Sequence, residues 1–321
     1  TRGDTVVVTG DRPEISIHWE PGVILELSVD DYYDAVINLA GESISRIPWT
    51  RKRKERILYS RLDATKTLVA WIRACRTPPQ ALINASAVGF YGDVPAGDVP
   101  ESFPAGRGFL AELCREWEEE AHAAQAHGVR VATLRLGVVL AADGGALGRM
   151  LLPFRLFVGG PIGSGRQWFP WIHRDDVVGA IMFLLRTPVV SGPVNFVGPE
   201  PVTMRDFCRA IGATMGRPSW APVPGPILRV ALGEMADIEG MAVEGEVESG
   251  KLNSLKALPP RASMASMRAS MSGWSGTAKG RRVMMTLLNA SPGTSTPCQK
   301  LSAPNRTALG SLRKRSSSIV R

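Results

Sequence analysis

The stretch that decides the fold is Ala35-Val36-Ile37-Asn38-Leu39-Ala40-Gly41-Glu42. A short apolar run ends in an asparagine and two small residues, which is typical of a buried parallel strand whose carboxyl end leaves room for a flat, polar ligand. In open α/β sheets, ligands bind outside the carboxyl ends of the strands, where the strand order reverses. An ordinary strand followed by a glycine turn would give the same pattern, so the octapeptide alone leaves both interpretations open.

The composition is that of a globular protein, with 321 residues of which 44% are hydrophobic. No apolar run approaches the roughly 18 residues of a membrane-spanning helix, so we expect no membrane partner. The four cysteines lie far apart, which fits neither a zinc cluster nor a disulfide framework and favours a reducing compartment. We therefore expect no metal and a cytoplasmic location, with organellar targeting left open because the chain begins at Thr1 rather than at Met.

The basic charge of the chain is concentrated near its C-terminal end. Residues 251–321 hold 13 Lys or Arg and no acidic residue, whereas residues 1–250 hold 25 basic and 30 acidic residues. This segment has little periodicity and cannot bury enough apolar surface to offset its chain entropy. We predict that residues 238–321 form a low-complexity, disordered basic tail. Its single aromatic residue, Trp274, and its lack of a recognised module argue against a nucleic-acid partner.

The rest of the chain alternates strands with helices. A helix over 51–76 ends before a pair of prolines, and a strand over 81–85 follows. A second helix over 108–127 leads into a strand over 130–134. This alternation predicts a parallel, doubly wound α/β sheet.

A turn near the start of the chain bears on the choice of ligand. The β-branched strand Thr5–Thr9 is closed by Gly10, Asp11 and Arg12. An acidic residue at such a strand end often holds a ribose diol, whereas an arginine accepts an adenosine 2′-phosphate. Because Asp11 and Arg12 stand side by side, these residues do not decide between NAD and NADP. They are also compatible with a polar turn that binds no ligand.

Longer strings resemble the extended short-chain dehydrogenase/reductase superfamily, in its atypical epimerase branch of NDP-sugar epimerase-like and plastid-division proteins. They are Asn38-Leu39-Ala40-Gly41-Glu42, Ser60-Arg61-Leu62, Phe109-Leu110-Ala111-Glu112, Leu134-Arg135-Leu136-Gly137, Leu152-Pro153-Phe154, Gly159-Gly160-Pro161-Ile162-Gly163-Ser164-Gly165 and Phe169-Pro170-Trp171-Ile172-His173. The resemblance implies a Rossmann fold that binds NADP(H), with NAD(H) left open. It implies cofactor contacts at Gly10, Asp11, Leu39, Ala40 and Arg61. The residue patterns described above add Arg12 and Gly41 as candidate cofactor contacts.

Two departures from the family pattern shape the expected architecture. No stretch matches the phosphate loop Gly-x-x-Gly-x-x-Gly, and the usual C-terminal segment is replaced by the acid-free tail. We therefore expect a Rossmann-type sheet that is N-terminally incomplete, without its first strand and Gly-rich loop. The predicted domains are a nucleotide-binding domain at 1–140, a small substrate-covering subdomain at 141–237 and the tail at 238–321.

The usual catalytic pair of the superfamily, Tyr-x-x-x-Lys, is absent. Four residues after each tyrosine stands a residue other than lysine, and no lysine occurs between Lys66 and Lys251. Without a lysine to lower its pKa, a tyrosine is a weak acid or base near neutral pH. Tyr91 follows the strand that ends at Ser86, where it would face the nicotinamide. We predict that Tyr91, with Ser86 as its hydrogen-bond partner, carries any catalysis.

Three functions remain open at this point. The first is an NADP(H)-binding epimerase or oxidoreductase that acts on an unknown small molecule. The second is a non-catalytic, nucleotide-binding regulatory protein, for example in cell or plastid division. The third, a nucleic-acid-associated protein, rests on the basic tail alone and is disfavoured. The sequence does not predict the oligomeric state.

Overall fold

The strand predicted at 35–39 lies near the middle of a seven-stranded sheet. The computed structural model describes residues 4–9, 15–19, 30, 32–44, 49–94, 97–141, 145–198, 202–220, 246–247 and 283–288. The strands are β1 (Asp4–Thr9), β2 (Ile15–Trp19), β3 (Ala35–Leu39), β4 (Ala81–Ala87), β5 (Asp98–Val99), β6 (Arg130–Leu136), β7 (Val138–Ala141), β8 (Trp171–His173), β9 (Gly192–Phe196), β10 (Glu246–Val247) and β11 (Val283–Leu288). The helices are α1 (Arg51–Ala74), α2 (Phe109–His122), α3 (Gly145–Arg155), α4 (Arg174–Arg186) and α5 (Met204–Met215), with short 3-10 turns at Val88–Tyr91 and Ala123–His127.

The sheet is doubly wound, as predicted. Its strand order is β2-β1-β11-β3-β4-β6-β9, and the five strands from β11 to β9 run parallel. Because side chains alternate along a strand, Ile37 and Ile83 face a cluster with Leu184 of α4, while Val36 faces a second cluster with Leu68 of α1. Helices on both faces bury the sheet, so most side chains of its central strands are apolar.

Helix α1 shows how local sequence sets an element. The Thr50 hydroxyl accepts a hydrogen bond from the Arg53 amide at 3.3 Å and so caps the first turn. The helix ends at Ala74, close to the predicted end at 76, because Pro78 and Pro79 cannot continue it. It crosses from β3 to β4 and brings its middle turns beneath the carboxyl end of β3.

The predicted subdomain has its own small core. Strands β7 and β8 pair in parallel, and α3 and α5 pack against them around Phe154, Phe169 and Met204. The chain divides into two units, 1–289 and 290–321, of which the second lies outside the described residues. The boundary at residue 140 therefore stays a prediction.

The main sheet contains one strand that the sequence assigned to the disordered tail. β11 lies between β1 and β3, antiparallel to β1 and parallel to β3, and its Met284 is fully buried. The short strand β10 pairs in parallel with β5. Disorder over the whole of 238–321 is therefore wrong for these eight residues. The run Val283–Leu288 is apolar apart from Thr286, which is close to the pattern of a buried parallel strand, but the acid-free composition around it masks that signal.

Candidate functional site

Two buried asparagines organise the carboxyl edge of the sheet. Asn38 of β3 donates from Nδ2 to Asn84 Oδ1 of β4 at 2.6 Å and to the Thr65 hydroxyl of α1 at 3.0 Å. The Asn38 Oδ1 atom accepts from the Ala40 amide at 3.1 Å, which turns the chain at the end of the strand. The asparagine thus satisfies its own polar atoms while it fixes the start of the loop that follows β3.

The loop after β3 is fastened to α1 through one residue. The Glu42 amide donates to the Ser60 hydroxyl at 3.0 Å, and its carbonyl accepts from Arg61 at 3.1 Å. Its carboxylate pairs with Arg53, and both of those side chains are buried. Because the amide, carbonyl and carboxylate of Glu42 all bind α1, the loop has one defined position at the edge of the sheet.

Two small residues allow close packing at this edge. Ala40 is fully buried, and a Cβ atom on Gly41 would lie 2.9 Å from Arg61 Cζ. Any side chain at position 41 would therefore displace the guanidinium. That these small residues let a ligand approach the backbone stays a prediction, and Leu39 is half-buried beside them.

Arg61 carries the charge of this region. Its guanidinium lies 5.1 Å from the Trp117 ring and donates to the Ile57 carbonyl at 2.8 Å. Burial lowers the pKa of Arg61 to about 10, against the opposing effect of Cys114 and Glu42. Among the described residues no carboxylate oxygen lies within 4.0 Å of it. A partly desolvated cation that forms no direct ion pair with a described carboxylate suits an anionic ligand group.

A second group of polar residues is buried where β4, β6 and β9 end. Glu118 of α2 and Arg135 of β6 form a two-pronged ion pair, with both nitrogen–oxygen distances at 2.9 Å. The Ser86 hydroxyl donates to Glu118 Oε1 at 2.6 Å. On the other side, Arg135 donates to the Tyr91 hydroxyl at 2.9 Å, and Tyr91 donates to Asn195 Oδ1 at 2.5 Å. We call these five residues the buried network.

The buried network joins both predicted catalytic residues but keeps them from solvent. Tyr91 is 1% exposed and Ser86 is 2% exposed, and they are linked through Glu118 and Arg135. Burial raises the pKa of Tyr91 above its usual value, although Arg135 and the hydrogen bond to Asn195 oppose the shift. Tyr91 therefore stays protonated near neutral pH. That it carries the chemistry with Ser86 stays a prediction.

Three other titratable side chains, Cys114, His173 and Glu112, do not belong to the buried network. Burial raises the pKa of the Cys114 thiol to about 11, with the Glu118 charge adding to the shift, so Cys114 is a small buried side chain and no nucleophile at neutral pH. The His173 Nδ1 atom accepts a hydrogen bond from the Asp175 amide at 3.2 Å, so His173 caps α4. Glu112 is exposed on α2. The predicted contacts Gly10, Asp11 and Arg12 lie outside the described residues.

Sequence reasoning overlooked Asn195 of the buried network and the adjacent Glu101. Asn195 stands between Val194 and Phe196 in a strand, and its Nδ2 atom donates to the Val99 carbonyl at 3.0 Å. A polar residue inside an apolar strand is the signal that could have found it, since a buried amide requires partners. Glu101, which accepts the Asn195 amide at 3.2 Å, lies in a loop without such a signal.

Within the described ranges, no group of three His, Cys, Asp or Glu side chains is arranged to hold a metal ion. Over the same ranges, no helix combines the length and the hydropathy that crossing a bilayer requires.

Comparison with known proteins decides the family. The profile of the NAD dependent epimerase/dehydratase family matches residues 20–197. The chain belongs to this family. Two relatives are the chloroplastic epimerase family protein SDR39U1 homolog of Arabidopsis thaliana, 43% identical over 71% of this chain and 62% of its own length, and an epimerase family protein of Mycobacterium bovis, 41% identical over 71% of this chain and 75% of its own length.

A solved epimerase family structure agrees with the fold. Human epimerase family protein SDR39U1 (isoform 2), crystallised with NADPH, superposes with a TM-score of 0.65 at 32% identity, and the match covers 74% of this chain and 80% of that one. The resemblance to the epimerase branch and the Rossmann-type parallel sheet are thus confirmed. The chain spans 62% of the length of the Arabidopsis epimerase family relative.

Proposed function

We propose that this protein binds NADP(H) at the carboxyl edge of β3, and that Arg61 receives an anionic group of the dinucleotide. The observation that carries the proposal is the Arg61 guanidinium, which packs beside Gly41 and forms no direct ion pair with a carboxylate among the described residues. The NADPH bound by the human relative supports the choice of ligand. When bound, NADP(H) would supply or accept a hydride.

The binding residues follow from this position. Leu39, Ala40 and Gly41 form the backbone surface against which the ligand packs, and Glu42 fixes that surface to α1. Gly10, Asp11 and Arg12 are proposed to hold the adenosine ribose, with NADP(H) preferred over NAD(H) because Arg12 can accept a 2′-phosphate.

Calorimetric titration of the full chain with NADPH tests the proposal. Arg61→Ala should weaken binding roughly tenfold to a hundredfold, since a hydrogen bond to a charged group contributes about 1.5–3 kcal/mol. Arg61→Lys, which keeps the charge, should lose less. Arg186→Ala, an exposed arginine on α4, is the control and should bind like the parent. Equal NADPH affinity in Arg61→Ala and the parent, with unchanged melting temperature, would refute the site.

For the chemistry we propose an epimerase- or oxidoreductase-like activity on an unknown small molecule, with Tyr91 and Ser86 as the reacting side chains. A second candidate, regulatory nucleotide binding without turnover, is favoured by the burial of both hydroxyls. Tyr91→Phe and Ser86→Ala separate the two when cofactor oxidation is followed in single turnover with candidate sugar nucleotides. Loss of rate at unchanged NADPH affinity supports chemistry at Tyr91, whereas full rate in both variants excludes it.

The cellular setting is proposed from the thiols. Cys114 and Cys208 are buried and form no disulfide within the described part of the chain, which supports a reducing compartment such as the cytoplasm or an organelle.

A further inference from the structure

Helix α3 presents one apolar and basic face to solvent. Arg149, Leu152 and Leu156 follow one another at helical spacing, and Leu152 and Leu156 are 56% and 64% exposed. The opposite face, with Phe154, packs into the core of the subdomain. An amphipathic helix normally turns its apolar residues inward, so a second apolar face directed outward calls for a partner.

The turn after α3 extends this face. Phe157 and Val158 are each 51% exposed. The Phe157 amide donates to the Phe154 carbonyl, and the Val158 amide donates to the Pro153 carbonyl, both at 3.0 Å. Phe157 has a φ of 61°, a left-handed conformation that costs a residue with a bulky side chain of order 1 kcal/mol or more. The hydrogen-bonded turn thus holds two apolar side chains outward in a defined position.

The exposed apolar residues of the described chain are concentrated here. Of the eight large apolar side chains that are exposed, four fall within residues 152–158. The segment that carries them is basic, since residues 145–174 contain four arginines and no acidic residue, although one of the four, Arg174, lies 3.8 Å from an Asp175 carboxylate oxygen. Arg155 is exposed on α3, and the Arg217 guanidinium lies 4.1 Å from the Phe157 ring. We define the α3 patch as Leu152, Leu156, Phe157 and Val158 with Arg149, Arg155 and Arg217.

We infer that the α3 patch docks on the surface of a bilayer that contains anionic phospholipid, a peripheral contact that departs from the sequence expectation of no membrane partner. Apolar side chains flanked by arginines are suited to this interface, because the former enter the acyl boundary while the latter bind the lipid phosphates. A second copy bound by the same patch would bring arginines against arginines, which is repulsive. The side chains of the patch also project from a helix end and a turn, so they suit insertion into a soft surface rather than reception of a peptide helix, which requires a groove.

Vesicle binding of the full chain provides the test. Phosphatidylcholine vesicles with and without phosphatidylglycerol are sedimented with the protein at increasing ionic strength. Leu156→Ser with Phe157→Ser should weaken partitioning onto the anionic vesicles roughly 30-fold, from the apolar area that each side chain would bury. Arg155→Glu should weaken it about tenfold. Val189→Ser, an exposed apolar residue away from the patch, is the matched control and should not change binding.

Measuring the insertion of a side chain into the bilayer distinguishes binding by the α3 patch from binding by the basic segment at 251–321. That segment attracts anionic vesicles in every variant. On anionic vesicles, the added tryptophan of Phe157→Trp should give blue-shifted fluorescence, beyond the signal of the parent, and brominated acyl chains should quench it. The added tryptophan of Val189→Trp should show neither effect. The inference is overturned if Phe157→Trp is not quenched, or if the Ser variants partition like the parent. It is also overturned if an acidic polypeptide, rather than the vesicles, protects the patch, or if the Ser variants change only self-association in sedimentation velocity.

Discussion

Replacing Glu118 by Gln should destabilise the protein strongly, because it leaves the Arg135 charge buried without a counter-ion. The two side chains are 7% and 4% exposed, and the amide also loses one of the two charge-assisted bonds to Arg135. Removal of one partner from a buried ion pair typically costs about 3–5 kcal/mol. For a domain of this size, that loss corresponds to a decrease in melting temperature of roughly 10 °C.

The neighbouring residue provides the control. Glu119 pairs with Arg115 at 3.1 Å, but these side chains are 63% and 48% exposed. Glu119→Gln should therefore cost less than about 1 kcal/mol, since water and salt screen an exposed pair. Urea unfolding followed by tryptophan fluorescence measures both variants. Arg135→Met in the Glu118→Gln background should recover part of the loss, because the unpaired charge is removed.

The reasoning would be refuted if Glu118→Gln and Glu119→Gln destabilised the protein equally. The ion pair would then contribute no more than a surface pair, and it could not be what holds Tyr91 and Ser86 in place. A double-mutant cycle with additive losses at Glu118 and Arg135 would lead to the same conclusion.

Three further predictions follow from the packing. Gly41→Val should weaken NADPH binding at least tenfold without unfolding the protein, because its side chain would displace Arg61; calorimetry with a thermal melt distinguishes the two effects. Ending the chain at residue 250 should detach the β1–β2 hairpin, since β1 pairs only with β2 and β11 among the described strands, and loss of amide protection at 4–9 in hydrogen exchange would record it. Cys114 should resist iodoacetamide at pH 8, because its thiol is buried and its pKa is raised. For the same reason, the free energy of unfolding should fall as pH rises from 9 towards 11, since the unfolded chain loses this proton first. Unfolding titrations should show a smaller loss in Cys114→Ser.

The sequence predicted the elements whose causes are local. Helix α1 has its cap at Thr50 and its prolines just beyond its end, so its bounds were predicted to within two residues. The polar end of β3 indicated a ligand edge because Asn38 interrupts an apolar run. These signals lie within a few residues of one another, and no distant contact is needed to interpret them.

The tertiary structure alone decided how the site is assembled. Tyr91 and Asn195 are 104 residues apart in sequence, and they meet because β4, β6 and β9 are neighbours in one sheet. Glu118 reaches Ser86 only because α2 packs over that edge. The same holds for Val283–Leu288, whose place between β1 and β3 depends on backbone pairing with strands over 240 residues earlier. Strand pairing and the burial of charge depend on which surfaces meet, and local sequence does not encode that choice.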